Sequence, residues 1–532
     1  MKMNLRFDSL SQYLRFLFLF SLILVIFKPN NIVIGNIIYE PYRTQTHNQD
    51  SYSSEIFDGY NIYVLERMAS SVGTTLNRTL LVTDLSGNIY FQREIDPDGS
   101  MSVVTTEFIN STTILYGDRA GAHLWNLETN KTKFLNFDGH HDYEINLVNG
   151  TFFALHSYDI EIAGFNYTFD KIQEYNENGI LVWEKDTRDF LSTNQWCPFE
   201  DGGVTRDISH TNSISYDESE DVLYVNPRNV NTFYKIDHKT GDVLWGVGEY
   251  GNFTNYDIKG NEVEALFYHS HALKIVRNNT FFCFDNDRHN QTDGTSEYSR
   301  LVEIYVDEDK MQANTTWEWV ANPEYHCEFW GDHDLLPNNN RFGVFGTHKS
   351  SYIGFSAVLI ELNYAGDVVW EYKFPNDGSE SFGIYQVDRF RFTPVVSEPL
   401  YINQGINNSY YEWKVWYNFF SKTIYTGSYY INIDNSLVKK GPIEFPRFWQ
   451  SSTIRYYTTE LDLQQHNISL IVGDEAGHLS NESQFFSPLG HINHNSFLPL
   501  RTATELITIF SILIPNLVGV ILYFRKNRKS SV

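Results

Sequence analysis

The sequence predicts an all-β chain, and three observations carry that prediction. Aromatic residues make up 16% of its 532 residues, with 35 Tyr and 39 Phe, and such side chains favour strands over helices. Asn is abundant throughout, as expected where many turns are needed. A short hairpin pattern recurs six times. The expected architecture is a six-bladed β-propeller, then an immunoglobulin-like β-sandwich, then a C-terminal transmembrane helix.

At the N-terminus, Lys2, Arg6 and Arg15 precede the apolar run FLFLFSLILVIF (16–27). A basic stretch before a twelve-residue apolar one marks an export signal, and VIG (33–35) offers small residues for cleavage. Residues 1–35 therefore read as a signal peptide or an uncleaved signal anchor.

The repeat comes next. An apolar residue, an Asp or Asn, a turn usually holding Gly, and an apolar run often ending in Trp form one unit. It appears as VTDLSGNIYF (82–91), WNLETNKTKF (125–134), EYNENGILVW (174–183), KIDHKTGDVLW (235–245), YVDEDKMQANTTWEW (305–319) and LNYAGDVVW (362–370). Each reads as a tight hairpin. Spacings of about 40–70 residues suit propeller blades, so residues 36–397 read as six of them. FGIYQVDRF (382–390) closes the ring on this reading.

After four of the hairpins comes a His, an apolar segment and a β-rich run. The residues are His141, His210, His271 and His333, spaced 69, 61 and 62 apart. Equivalent positions of successive blades converge on one axis, so four distant imidazoles are expected to meet there. A satisfied structural role, for instance bonding a neighbouring strand or a buried water, is the plainer alternative. Metal ligation is another, since imidazole is the commonest ligand, but Arg228 nearby disfavours a cation. The stretch DISHTNSISYDESEDVLYVNPRN (207–229) places His210, Asn212 and Arg228 on what reads as one strand pair. Solvated strand ends would explain them; so would a pocket for an anion.

Beyond residue 400 the repeat stops. YYEWKVWYNFF, YYINID and IRYYTTELDL alternate apolar and polar residues, and 398–495 reads as a sandwich of immunoglobulin type lacking the disulfide. LITIFSILIPNLVGVILYF (506–524) is uncharged and long enough to span a bilayer. The basic tail RKNRKSSV (525–532) marks the cytoplasmic side. The two ends agree on a cell-membrane protein, single-pass at its C-terminus, with its body outside the cytoplasm. Sequons at Asn77, Asn149, Asn252 and Asn314 fit that location.

Composition narrows the partners. With 40 basic and 66 acidic residues the formal charge is −26, which argues against nucleic acid. Cys197, Cys283 and Cys327 are an odd number with no CxxC spacing; one pair could form, but a Cys-based zinc site is not expected.

The block 205–300 resembles the arylsulfate sulfotransferase family. The likeness rests on SHTNSISYDESEDVLYVNPRNVNTFYKIDHKTGDVLWGVGEYGNF (209–253), HSHALKI (269–275), FDND (284–287) and YSR (298–300), and extends loosely over 55–395. The family has an H-x-N with an Arg eighteen residues after the His, matched here by His210, Asn212 and Arg228. The resemblance implies a six-bladed propeller that moves a sulfuryl group from an aryl sulfate to a phenolic acceptor, without a nucleotide, a metal or any other cofactor. It implies that His271 accepts the group covalently, that His210, Asn212 and Arg228 hold the sulfate, and that His141 assists. His333 and His269 are further binding candidates. Where the family usually has Gln-His this chain has Ser270-His271, and His269 is the neighbour that could be taken for the nucleophile. Asp285, Asn286 and Arg300 read as structural, and Arg389 as a weak site candidate.

The chemistry suits these residue types. Transfer of a sulfuryl group spreads charge over three oxygens, so positioning and electrostatics dominate, as in phosphoryl transfer. Arg supplies a permanently charged fork. A neutral imidazole is a competent nucleophile once its tautomer is fixed. A phenolate of pKa ~10 gains from a second His acting as acid. The alternative function is a non-catalytic extracellular propeller binding a ligand or protein. A metal- or quinone-dependent oxidoreductase would need carboxylate ligands beside the His cluster.

Overall fold

A computed structural model describes residues 56–486, apart from breaks at 70–73, 100–104, 196, 198–204, 288–297, 348–353, 377–379, 403, 405–408 and 458–465. The apolar segments 16–27 and 506–524, on which the signal and membrane-anchor expectations rest, lie outside the described residues. Among the described residues no helix is long and apolar enough to cross a membrane, and the only helical turns are short 3-10 turns. The chain is all-β, built from many small antiparallel sheets.

Six of these sheets follow one another along the chain. The second sheet is a simple meander of Glu107–Asn110, Thr113–Asp118, Gly121–Asn126 and Lys131–Phe134. The third runs His140–Asn146, Thr151–Ile162, Phe165–Tyr175 and Leu181–Asp186, with Thr205–Asp207 added in parallel. The fourth runs Thr211–Asp217, Val222–Pro227, Thr232–Asp237 and Val243–Gly248. The fifth begins His271–Arg277 and Thr280–Asp285, and the sixth Asp332–Leu335 and Arg341–Phe345. The first is shared between the two ends of this region: Glu380–Phe390 pairs with Tyr60–Ala69, which leads into Thr74–Asp84 and Ile89–Asp96.

Each of the six expected hairpins forms the last two strands of one sheet. Each turn passes through one left-handed residue. Gly87, Gly179, Gly241 and Gly366 fill that place with φ from +75° to +90°, and Asn130 and Met311 fill it with φ +53°. Glycine adopts this region without the Cβ clash that other residues suffer.

Burial differs between the inner and outer strands. Thr211–Asp217 and Val222–Pro227 are buried at every position, and their apolar residues follow from covering on both faces. Lys131–Phe134, at the outer edge of its sheet, is wholly exposed. The first strands touch one another in chain order, from Glu107–Asn110 through His140–Asn146, Thr211–Asp217, His271–Arg277 and Asp332–Leu335 to Glu380–Phe390. Phe108 and Phe390, with ring centroids 4.8 Å apart, bring the series back to its start.

Two further four-stranded antiparallel sheets follow. One contains Val395–Val396, Leu400–Ile402, Tyr410–Trp416 and Ser452–Tyr457; the other contains Ser436–Phe445, Tyr425–Ile433, His466–Gly473 and Leu479–Phe486. Their buried Trp413, Phe445 and Leu470 belong to the same core cluster as Ile62, Tyr116 and Val344 of the preceding sheets. The contact is also polar. Arg447 pairs with Asp217 at 2.6 Å, and Lys422 pairs with buried Glu144.

Candidate active site

Hydrogen bonds between neighbouring first strands fix which positions are equivalent. The amide of Tyr143 donates to Thr105 Oγ1, that of Ile214 to Asp142 Oδ2, that of Leu273 to Ser213 Oγ, and that of Val387 to Asp332 Oδ2. Two residues before these amides stand His141, Asn212, His271 and Tyr385. By the same rule the sixth sheet contributes Gly331, one residue before the Asp332 that plays the part of Asp142 and Ser213. The matched set is therefore His141, Asn212, His271, Gly331 and Tyr385, and not the four evenly spaced His. Even spacing misleads here because the first strands slip register, for instance between His140 and Tyr143 and between Thr211 and Ser213.

Three of the four imidazoles nevertheless meet. The rings of His141 and His210 lie 5.0 Å apart. The Tyr385 ring lies 5.8 Å from His141 and 5.7 Å from His271, between them. His210 is not a strand residue paired with Asn212 across one face. It stands just before the strand in the left-handed region at φ +42°; His141, the second residue of its own strand, is also left-handed at +62°. Non-glycine residues there are uncommon and concentrate at functional sites. Arg228 opens a 3-10 turn after Val222–Pro227; it is buried, and its Nη1 donates to Asn229 Oδ1 at 2.6 Å. Its charge bears on both His141 and His271.

His271 is held from two sides. Its Nδ1 is 2.7 Å from Asn286 Oδ1. The Asn286 amide group donates to the carbonyls of Cys327 and Trp330, both at 2.8 Å, which turns Oδ1 toward the imidazole. Nδ1 must then carry the proton. The Trp330 N–H points at Nε2 from 3.4 Å, so Nε2 bears the lone pair. Burial pushes the His271 pKa well below its ordinary 6.5, and the Arg228 charge adds to that push. The ring is a neutral imidazole with its tautomer set.

His210 has a different environment. Its Nδ1 is 2.6 Å from Asp207 Oδ2, and both side chains are about one-third exposed, 34% and 33%. For His141, burial and then the neighbouring His140, His210, His271 and Arg228 drive the pKa well below 6.5. Burial also raises the Tyr385 phenol far above its usual 10; its hydroxyl donates to the Asn212 carbonyl at 3.0 Å.

The other sequence candidates fall elsewhere. Asn212 ties the fourth sheet to the fifth: its amide donates to the Ser270 carbonyl at 2.8 Å, and its Oδ1 accepts from Asn226 at 2.9 Å. His269 turns its Nε2 toward Cys197 Sγ, 3.8 Å away, while its backbone N–H donates to Asn231. His333 is wholly buried within a sheet interface, stacked on Phe282 at 4.1 Å with Trp317 beside it and Nδ1 near the Cys283 carbonyl. Its expected place among the axial residues is corrected: Gly331 holds that position. Arg300 pairs with Asp285 and Glu318, as a structural residue should. Arg389 is likewise structural, pairing with Glu361 under Phe342 and Trp370.

Sequence reasoning missed Tyr385, Asp207, His140 and Asp170, and read Asn286 as a turn residue. The signals were present but short: Asp207 stands three before His210, His140 doubles His141, and Asn286 ends the FDN triplet. The three cysteines, all buried, form no disulfide. Among the described residues no group of His, Cys, Asp or Glu is arranged to hold a metal ion.

A small chamber of about 40 Å³ adjoins the histidine group. Asn212 and Tyr385 line both, and the chamber continues to Asp142, Lys274, Asp388 and Glu107. Phe419, Phe420 and Lys422 enter it from the C-terminal sheets.

No curated protein matches the chain. Among solved structures, the hydrazine synthase of Kuenenia stuttgartiensis aligns over 59% of this chain and 62% of its own, at 8% identity and a TM-score of 0.23. The chain thus spans less than two thirds of that protein. Dihydro-heme d1 dehydrogenase NirN aligns over 60% and 74% at 8% identity and 0.28, and a luciferin-regenerating enzyme over 57% and 80% at 11% and 0.26. Likeness this slight carries no argument. The family model for arylsulfotransferase (ASST) matches residues 58–386, a span that starts before the first described strand and ends one residue after Tyr385, and on that match the chain belongs to the arylsulfotransferase family.

Proposed function

We propose that the protein is an aryl-sulfate sulfotransferase that works by a ping-pong mechanism through a sulfohistidine at His271. The six sheets are the blades of a propeller on this reading, and the histidine group lies on its axis. The observation that carries the proposal is the state of His271: a neutral imidazole whose Nε2 lone pair is defined by Asn286 and which lies near a buried guanidinium. In the first half-reaction Nε2 attacks the sulfur of the donor. The bond from sulfur to the aryl oxygen breaks, and the phenolate takes a proton from His210, which Asp207 orients through Nδ1. Arg228 stabilises the charge on the sulfuryl oxygens. In the second half an acceptor phenol attacks the sulfur and the N–S bond breaks.

The body is proposed to lie outside the cytoplasm, with residues 36–397 as the propeller and 398–495 as the immunoglobulin-like sandwich. Residues 1–35 are its signal and 506–524 its membrane anchor. The supports are the sequence patterns of those segments.

The test is sulfuryl transfer from 4-nitrophenyl sulfate to phenol by the protein, with EDTA present. Acceptor-dependent nitrophenol release that is abolished in His271→Ala is expected. Release that survives in His271→Ala moves the nucleophile elsewhere. A folded wild type inactive with several donors leaves a binding propeller as the better reading.

A further inference from the structure

Behind His141 lies a chain of groups that the transfer as described does not use. His140 Nδ1 is 2.7 Å from His141 Nδ1, and His140 Nε2 is 3.2 Å from Asp170 Oδ1. Asp170 is buried in the third sheet. Its Oδ2 accepts from Ser209 Oγ at 2.7 Å and from the Thr211 amide at 2.6 Å, both just ahead of the fourth sheet. Burial alone would raise its pKa, yet His140 and these donors hold it below its ordinary value. The carboxylate is therefore ionised and pinned.

These contacts dictate tautomers in order. Ionised Asp170 is an acceptor only, so the His140 proton sits on Nε2, 3.2 Å from the carboxylate in an ion-pair contact rather than an aligned hydrogen bond. His140 Nδ1 is then a lone pair. His141 Nδ1, 2.7 Å away, must be the donor of that contact. The remaining nitrogen of His141, Nε2, carries a lone pair, and the rings of His210 and Tyr385 lie 5.0 and 5.8 Å from the His141 ring.

We propose that His141 is the base that takes the acceptor's proton, and that His140 and Asp170 are positioning residues that hold it in the required tautomer. The inference rests on transfer through His271. As the acceptor oxygen bonds to sulfur, its proton moves to His141 Nε2 and the N–S electron pair returns to His271. The imidazolium so formed keeps its Nδ1–H on His140, whose Nε2–H faces Asp170. The first half-reaction leaves His210 one proton short and the second leaves His141 one proton over. Their rings are 5.0 Å apart, so one proton passed between them resets the site. The two half-reactions thus use different histidines: His210 serves the donor and His141 the acceptor.

The experiment separates those halves in the full-length protein. His140→Phe removes the relay while filling its space, and Asp170→Asn removes the anchoring charge. With 4-nitrophenyl sulfate alone, the nitrophenol burst reports loading of His271; added acceptor reports unloading. In His140→Phe the burst is expected to stay within about twofold of wild type, while turnover with phenol falls about 100-fold, the usual span of general base catalysis. Pentafluorophenol, already ionised at neutral pH, needs no base and is expected to restore wild-type turnover. Equal losses with both acceptors overturn the proposal, as does a burst that falls in step with turnover. If Asp170→Asn fails to fold, His140→Phe alone decides. A wild type with no burst overturns the transferase reading itself, and this inference with it.

Discussion

An amide sets the tautomer of His271. Only an acceptor at Nδ1 leaves Nε2 free, and Asn286 Oδ1 is that acceptor. Asn286→Leu is expected to lower the burst rate about 100-fold, while Asn286→Asp keeps the acceptor and most of the rate. The two differ further in their response to acid. In the wild type the folded His271 pKa lies well below 6.5, so the imidazole stays neutral as pH falls through 6.5, and loading measured by the burst is expected not to fall between about pH 7.5 and 6. Asn286→Asp places a negative charge beside the ring and raises that pKa, so its rate should fall off at higher pH. A burst profile that is identical in both proteins contradicts the assigned contact. At this scale the sequence was legible where a short motif holds the partner: His271 came with the FDN triplet, whose Asn286 contacts its Nδ1. It was opaque where the partner lies far along the chain. Nothing local says that Tyr385 reaches His141, because a strand-closing contact between distant segments leaves no spacing to read. His333 was misplaced for the opposite reason, since a regular interval was taken for structural equivalence and slipped register breaks that link.

Among the elements, the six hairpins were the clearest signal, since a turn residue with left-handed backbone between two apolar runs determines both strands. The segment leading into the sixth sheet carries a constraint that the pattern did not show. Gly331 has φ +117°, and a Cβ there would sit 2.6 Å from the Phe284 ring. The adjacent Trp330, itself left-handed at φ +70°, presents its N–H to His271. Gly331→Ala must displace either Phe284 from the core or Trp330 from the site. Its expected cost is about 2 kcal/mol of stability, the sum of backbone strain and overpacking, read as a lower urea midpoint at unchanged slope. The burst rate should fall as well. The C-terminal sheets were legible as β-structure from their alternation, but their role was not. In the structure Lys422 enters the chamber and pairs with Glu144 and Glu107. Lys422→Met leaves Glu144 buried without that partner, and removal of one member of a buried pair costs about 3 kcal/mol or more. A Tm unchanged from wild type would show that the pair does not stabilise the fold.

On the scale of the whole molecule, the central chamber sets how stability depends on pH. Burial raises Glu107 from 4.5 to about 8, Asp334 to about 7 and Asp142 to about 6, against the partial opposition of Lys422 and Lys274. The folded protein holds these protons after the unfolded chain has released them, so stability falls as pH rises from about 4.5 through 8. His141, His271 and His333 act in the other direction. Folded, they stay neutral; unfolded, they bind protons below 6.5, so stability also falls as pH drops beneath that value. Above pH 6.5 the carboxyls act together with His238 and His478, whose carboxylate partners outweigh burial and raise their pKa values, so all of them favour a decline. The Tm is expected to decline by about 2 °C or more between pH 6.5 and 8.5, and Glu107→Gln should flatten that decline. A Tm that rises over the interval would contradict the assignment of buried, protonated carboxyls.

The pairing of Glu380–Phe390 with Tyr60–Ala69 sets a schedule for synthesis. A ribosome makes His141, His210, Arg228 and His271 well before Tyr385, and early segments of a chain fold first. Until the last strand of the ring emerges, the first sheet lacks its inner edge and the histidines lack the aromatic ring between them. A nascent or prematurely terminated chain can thus hold every imidazole of the site and still have no site. The proposed sulfuryl transfer would therefore begin only when the chain has been read past its closing strand.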